Sequence, residues 1–280
     1  MTYKTIAVII TDSAADTNAL ETAINIADRT DAHVNVTCVG IDPARYDAIP
    51  AGGGAALIEV GAKEARTQAE SLEKWARAQV ANVRPSVSIE SVVMPQMGVE
   101  TMVARIARYS DLIVATKPYG AGRGPVHVNV LEAELFGTGV PVLIVPETGP
   151  IGSEPFSRVA IAWNESSEAF AAIRASLPVL MAADRVDIVM VDPPSHSPER
   201  SDPGGAVCLL LARHGVRAEV SILARTLPRV SDVIDRFAAE HGVELIVMGA
   251  YGHSRFREAM LGGATRDTLE STKLPLLMTR

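Results

Sequence analysis

The 280-residue chain reads as α/β, with two tandem domains, each a five-stranded parallel sheet wound on both faces by helices. Three observations predict this. First, short runs that are apolar at consecutive positions, such as Ile6–Ile10 and Leu245–Met248, alternate with stretches of helical periodicity. Strands apolar on both faces belong to a parallel sheet that is covered on each side. Second, the chain is written twice. Ile6-Ala7-Val8-Ile9-Ile10-Thr11-Asp12-Ser13 is answered by Val159-Ala160-Ile161-Ala162-Trp163-Asn164-Glu165-Ser166. Asp111-Leu112-Ile113-Val114-Ala115 is answered by Glu244-Leu245-Ile246-Val247-Met248, and Pro141–Val145 by Pro275–Thr279. Anchors at the start, late middle and end of each half make one long internal repeat. Third, the length suits two domains at roughly 100–200 residues each.

The domains are expected at 1–147 and 156–280, joined by the Gly- and Pro-rich stretch Glu147–Phe156. The first half opens with a continuous apolar strand near 4–10. A helix follows from about Asp16 to Arg29, with Ala19, Ala23, Ile26 and Ala27 on one face. A second strand spans roughly Ala32–Ile41. The turn Gly52-Gly53-Gly54 leads into a helix near 56–82. A strand at Ser86–Val93, a helix at 98–109, a strand at 111–115, a weakly patterned helix near 128–137 and a strand at 141–145 complete the half. The second half repeats the order with a shorter segment between its second and third strands. Right-handed crossovers are expected throughout.

Composition narrows the function. The hydrophobic fraction of 48% supplies two cores, filled by aliphatic residues because aromatics make up only 4%. The formal charge of −7 argues against a grip on the nucleic-acid backbone. A small anion is compatible with it, because backbone N–H groups bind anions without side-chain charge. Cys38 and Cys208 form no CxxC, and no His cluster has metal-ligand spacing. The apolar run at the N-terminus is too short for a signal peptide or membrane span, so a cytoplasmic location is expected.

An open α/β sheet binds ligands beyond the carboxyl ends of its strands, where the winding reverses. In a five-stranded domain that point lies between the first and fourth strands. In the second half these strands end at Trp163-Asn164 and Met248-Gly249. The stretch Gly249–Arg266 therefore begins at the predicted crevice. Gly249 and Gly252 would let the chain turn off the strand and approach a ligand closely. Gly262 and Gly263 precede Ala264-Thr265-Arg266, which opens a helix ending near Thr272. The N–H groups of a first helical turn, with the dipole behind them, favour an anion. Simple turn glycines are the competing reading. Neither pair fits the dinucleotide fingerprint or the P-loop.

The spacing Gly249-x2-Gly252-x9-Gly262, followed by a small residue, resembles the nucleotide-binding signature of the universal stress protein family in its tandem two-domain form. The resemblance covers nearly the whole chain and implies a Rossmann-like α/β fold in each half. It implies ATP binding in one subset of members, with AMP or ADP as related ligands. Pseudo-dimerisation through the last strand is also implied. Carried onto this chain, Gly249, Gly252, Gly262, Gly263, Ala264 and Thr265 would contact ribose and phosphates, and His253 lies inside the motif. Ala162, Trp163 and Asn164 would sit beside adenine and ribose. Val191 would meet the base through its backbone. The resemblance implies no established reaction beyond slow hydrolysis, and no residue is placed as a base for an attacking water.

The chain departs from the pattern in places. Gly263 stands where the family usually has Ser or Thr, so a hydroxyl is missing. Asn164 replaces a common Asp; its amide can bond a ribose hydroxyl but does not attract Mg²⁺ as a carboxylate would. The first half keeps Asp12 but reads Thr116-Lys117-Pro118-Tyr119 in place of Gly249-Ala250-Tyr251-Gly252. Val128-Asn129 stands in place of Gly262-Gly263. The first half is therefore expected not to hold ATP in the family manner.

Other candidates are weaker. Arg255, Arg257 and Arg266 could neutralise phosphates but read more simply as a solvated face. Trp163 could wall the base pocket or fill it. Ser13, Ser166 and Ser167 follow strand ends, where Ser commonly caps a helix, and Met94 and Met97 read as packing. The closing strands 141–145 and 275–279 are apolar edges that invite pairing with each other, which leaves further homodimerisation open. The leading expectation is a stress-response protein that binds adenine nucleotide in its C-terminal half. The alternatives are a scaffold acting through its surface and an enzyme of the wider adenine-nucleotide α-hydrolase-like group.

Overall fold

The computed structural model describes residues 3–42, 54–120, 122–147, 149–193, 201–250 and 263–280, with 54–58 as backbone only. The chain divides into two compact units. One comprises Tyr3–Val140 with Glu147–Ser153, the other Pro141–Pro146 with Glu154–Arg280.

The first unit runs β1 (Thr5–Ile10), α1 (Ser13–Thr30), β2 (His33–Asp42), α2 (Gly54–Gln79), β3 (Val87–Pro95), α3 (Val99–Ala107), β4 (Leu112–Thr116) and α4 (Pro125–Gly137). The strands lie in the order β3-β2-β1-β4, all parallel, with Thr5 opposite His33, Ile6 opposite Leu112 and Val34 opposite Val87. Ile6, Val8, Ile10, Val34 and Val114 are fully buried, as strands covered on both faces require. Helix α1 buries Ala19, Ala23, Ile26 and Ala27, the face its sequence predicts. It starts earlier than the pattern suggests because Asp12 caps it, accepting from the Ala15 N–H at 2.8 Å.

Helix α4 also begins ahead of its predicted start. Pro125 occupies its first turn, where a missing N–H costs nothing, and Gly124 is the cap residue. Val128 and Asn129, which sequence comparison sets against Gly262 and Gly263, thus lie inside a helix and not ahead of one. Of the two methionines read as packing, Met94 is fully buried, whereas Met97 is 76% exposed.

The second unit runs β5 (Val142–Val145), β6 (Arg158–Ala162), α5 (Ser167–Leu180), β7 (Arg185–Val191), α6 (Gly205–Arg213), β8 (Ala218–Leu223), α7 (Val230–His241), β9 (Leu245–Gly249), α8 (Ala264–Ser271) and β10 (Leu276–Thr279). Its strand order is β5-β10-β9-β6-β7-β8. Strands β10, β9, β6, β7 and β8 are mutually parallel. Strand β5 is antiparallel to β10, with Leu276 opposite Ile144 and Met278 opposite Val142. The two closing runs therefore do pair, and the first half's fifth strand is a member of the second unit. Every residue of β5 and β10 is buried, which removes two apolar edges from water.

In both units the first strand lies between the second and the fourth, so the winding reverses beside β1 and β4 and again beside β6 and β9. These reversals are the positions at which the sequence places the crevices.

Candidate functional site

In the second unit, β6 and β9 run side by side with Ala162 opposite Met248. Ala162 is half-buried at the end of β6. Trp163 continues the strand's path, its N–H donating to Val189 O at 2.9 Å. The indole is 6% exposed, and its Nε1–H has no hydrogen-bond partner among the described residues.

Asn164 is exposed, and its Oδ1 accepts from Ser166 N–H at 3.2 Å and Ser166 Oγ–H at 2.7 Å. Ser166 Oγ in turn accepts from Ala169 N–H at 3.1 Å and caps α5. The Ser166 cap is the one its position predicts. Asn164 thus holds the turn into α5 with its oxygen and leaves its amide N–H₂ toward solvent. Val191 ends β7, half-buried and opposite Leu223.

Gly249 ends β9 against the first turn of α5. A Cβ built on it would meet Ala169 N at 2.5 Å and Glu168 C at 2.6 Å. The fold itself therefore requires glycine here, whatever the residue offers a ligand. Beyond it, Ala250 N–H donates to Thr279 O at 2.8 Å, which fixes where the chain leaves the sheet. Gly252, His253 and Gly262, together with Arg255 and Arg257, lie outside the described residues.

Gly263 is the cap residue of α8, at φ −72° and ψ 159°, with no side chain to cap the helix. Helix α5 has Ser166 in that role, so the two helix starts differ in chemistry. Ala264 is exposed, and Thr265 is buried one position further on. Arg266 pairs with Glu270 at 2.9 Å on an exposed face, the bland role its position allows. No group of three His, Cys, Asp or Glu among the described residues could hold a metal ion.

The matching place in the first unit is differently built. Beyond β1 and β4, the buried Asp16 carboxylate accepts from Thr11 N–H at 2.8 Å, Asp12 N–H at 3.1 Å and Thr116 Oγ–H at 2.8 Å. The Arg123 guanidinium lies 3.5 Å from it and donates to Thr116 Oγ and to Ala15 O. The protein's own ion pair stands at this place. The acid that comes to prominence is not Asp12, spent on the helix cap, but Asp16 one turn later. Its partners Thr116 and Arg123 lie about a hundred residues away, so no local spacing announces them. Glu134 gave the one readable signal, an acid among Val130, Leu131, Ala133 and Leu135.

Comparison with known proteins falls on the same half. Residues 155–280 match the model of the universal stress protein family. Over these residues the C-terminal half is similar to universal stress protein domains. A universal stress protein from Synechocystis sp. is 30% identical over 101 residues, 36% of this chain. The match spans 34% of that relative's length. Among solved structures, a universal stress protein from Archaeoglobus fulgidus DSM 4304 aligns with a TM-score of 0.69 at 16% identity, covering 99% of this chain and 96% of that one. A putative universal stress protein from Pseudomonas aeruginosa UCBPP-PA14 aligns with a TM-score of 0.57 at 16% identity, covering 99% and 93%. At this identity the structures show the fold, a Rossmann-like α/β arrangement across the whole chain, including the half outside the family match. None of the described helices is long and apolar enough to cross a membrane.

Proposed function

We propose that the protein is a cytoplasmic stress-response regulator that binds one adenine nucleotide, ATP or its di- or monophosphate, in the C-terminal universal stress protein domain. The observation that carries this reading is an asymmetry. The family match and the glycine motif fall on the same half, while the corresponding place in the other half holds the Asp16–Arg123 ion pair.

The residues present suit the ligand. Trp163 offers a buried N–H that has no partner among the described residues. Asn164 keeps an amide N–H₂ for a ribose hydroxyl. Gly263 begins α8 with no capping side chain, where backbone donors and the helix dipole attract phosphate. Mg²⁺ has no carboxylate at position 164, so binding is expected without a tightly held metal. No positioned base is evident among the described residues, and in this reading turnover is slow or absent and the bound state is the signal.

The test is to purify the protein without added nucleotide, denature it, and resolve the supernatant by anion exchange. About one nucleotide per chain is expected. An empty protein that gains no thermal stability in millimolar ATP would end the proposal, because a ligand of the native state must raise stability. Gly263→Val sharpens the test. The backbone at 263 is extended, open to any residue, so the variant should fold and yet lose the nucleotide. A surface-acting scaffold predicts no change.

A further inference from the structure

In the first unit the ends of β1 and β4 and the inner face of α4 line a partly open cavity of about 20 Å³. Thr11, Asp16, Thr116, His127 and Glu134 supply its polar lining, and Ile9, Ala115, Val130 and Leu131 the apolar part. Two of the lining polar atoms, His127 Nε2 and Glu134 Oε2, are buried and meet no hydrogen-bond partner among the described residues.

The chemistry of each atom follows from its neighbours. His127 Nδ1 accepts from Gly124 N–H at 3.0 Å, which uses its lone pair. The ring is therefore neutral, with its proton on Nε2, and it presents a donor to the cavity. Glu134 is 1% exposed. The nearest guanidinium, Arg123, is spent on Asp16, Thr116 and Ala15. Burial first, and the negative charge of Asp16 second, hold the Glu134 carboxyl protonated well above the usual carboxylate range.

Space and polarity set the occupant. A water needs roughly 10–15 Å³ and two to four polar partners, and a nucleobase or phosphate needs far more room. We propose that this cavity is a site for one water and one proton, in which the water bridges the His127 Nε2–H and Glu134 Oε2. The hydroxyls of Thr11 and Thr116 are the further partners within the lining.

The elements packed around Glu134 carry charged groups of both signs, and burial together with the Asp16 carboxylate sets the direction. Helix α1 brings Asp16, the segment ahead of α4 brings Arg123, and α4 itself brings His127. Strands β1 and β4 bring Thr11 and Thr116, with the buried Lys117 following. Helix α3, packed on α4, buries Val99 and Val103 and leaves Glu100 and Arg105 exposed. The sign of the linkage is then fixed. The folded protein holds a proton that the unfolded chain releases near the ordinary Glu value of about 4.3, so stability falls as pH rises toward the folded value.

Three measurements on the full chain test this. In the infrared spectrum at pH 7, wild type should show a protonated-carboxyl band that Glu134→Gln lacks. Across rising pH, the unfolding constant of wild type should increase relative to that of Glu134→Gln by up to about tenfold per pH unit. A high-resolution crystal structure should place a water within hydrogen-bond distance of both His127 Nε2 and Glu134 Oε2. Absence of the band, parallel stability profiles, or a dry cavity would overturn the proposal. If Glu134→Gln fails to fold, the wild-type spectrum and crystal structure decide.

Discussion

Gly249 stands so close to Ala169 that a methyl group on it would lie 2.5 Å from the Ala169 backbone nitrogen. The end of β9 and the first turn of α5 meet backbone to backbone. Neither side can yield as a flexible side chain would. Gly249→Ala should therefore destabilise the C-terminal domain by about 1–3 kcal/mol, the usual cost of forcing atoms into a packed site. Urea denaturation followed by Trp fluorescence measures it. A loss below a few tenths of a kcal/mol would show that α5 moves aside freely. Nucleotide retention should fall only as far as the fold does, which separates Gly249 from Gly263, where the backbone tolerates a side chain.

The Asp16–Arg123 pair supports a second expectation. Both side chains are less than a tenth exposed. Arg123→Met leaves Asp16 with two backbone N–H groups and two hydroxyls but no cation. Removing one member of a buried pair typically costs about 3–5 kcal/mol, and the hydrogen bonds that remain place this case near the lower figure. Adding Asp16→Asn to Arg123→Met should recover part of the loss, because the uncompensated charge disappears. A double-mutant cycle by denaturation reads the coupling. Independent losses would mean that water already screens the pair.

These cases show what a linear reading sees. The strands were legible because both of their faces are buried, which makes apolar residues consecutive. The stripe Ala19, Ala23, Ile26 and Ala27 was legible because helical spacing puts it on one face. Pairing of the closing strands followed from their apolar edges, but membership of β5 in the second unit did not, since that depends on packing. The start of α4 was missed because Pro125 and Gly124 look like loop residues until His127 is seen to accept from the cap. The Asp16–Thr116 hydrogen bond joins residues 100 positions apart. The role of Gly249 depends on a helix that begins 82 residues earlier, at Ser167.

The two cysteines should differ in reactivity. Cys38 is fully buried in β2, and its thiol is pushed up to about 12 by burial and by the Glu73 carboxylate, with Arg77 opposing weakly. Cys208 is half-buried and donates to Ala218 O; burial raises its thiol as well. Thiolate is the reacting form, and raised values keep both scarce at neutral pH. A thiol reagent at pH 8 should label Cys208 slowly, and Cys38 only as fast as the first unit opens. Cys208→Ser should abolish all labelling that precedes unfolding. Rapid labelling of Cys38 in the native protein would contradict its burial.

The stretch between the halves reads as a linker but is bonded along its length. Residues 18, 22, 25 and 29 form one stripe of α1, following helical spacing. From it, Asn18 donates to Glu147 O, Asn25 to Ile151 O at 2.8 Å and Arg29 to Ser153 O at 2.6 Å, while Thr22 Oγ accepts from Ile151 N–H at 2.8 Å. A protease needs several residues freed from such contacts before it can cut, so its rate reports the opening of the strap. Wild type should resist cleavage between 147 and 153 despite the glycines and prolines. Thr22→Val with Asn25→Ala removes both bonds to Ile151 while keeping side chains of similar or smaller size. That variant should be cut there about ten- to a hundredfold faster, since two hydrogen bonds at roughly 1 kcal/mol each govern the opening. Limited proteolysis read by mass spectrometry measures the ratio, and near-ultraviolet circular dichroism checks that the packing survives. Equal rates in wild type and variant would mean that the connector is held by something other than the polar stripe of α1.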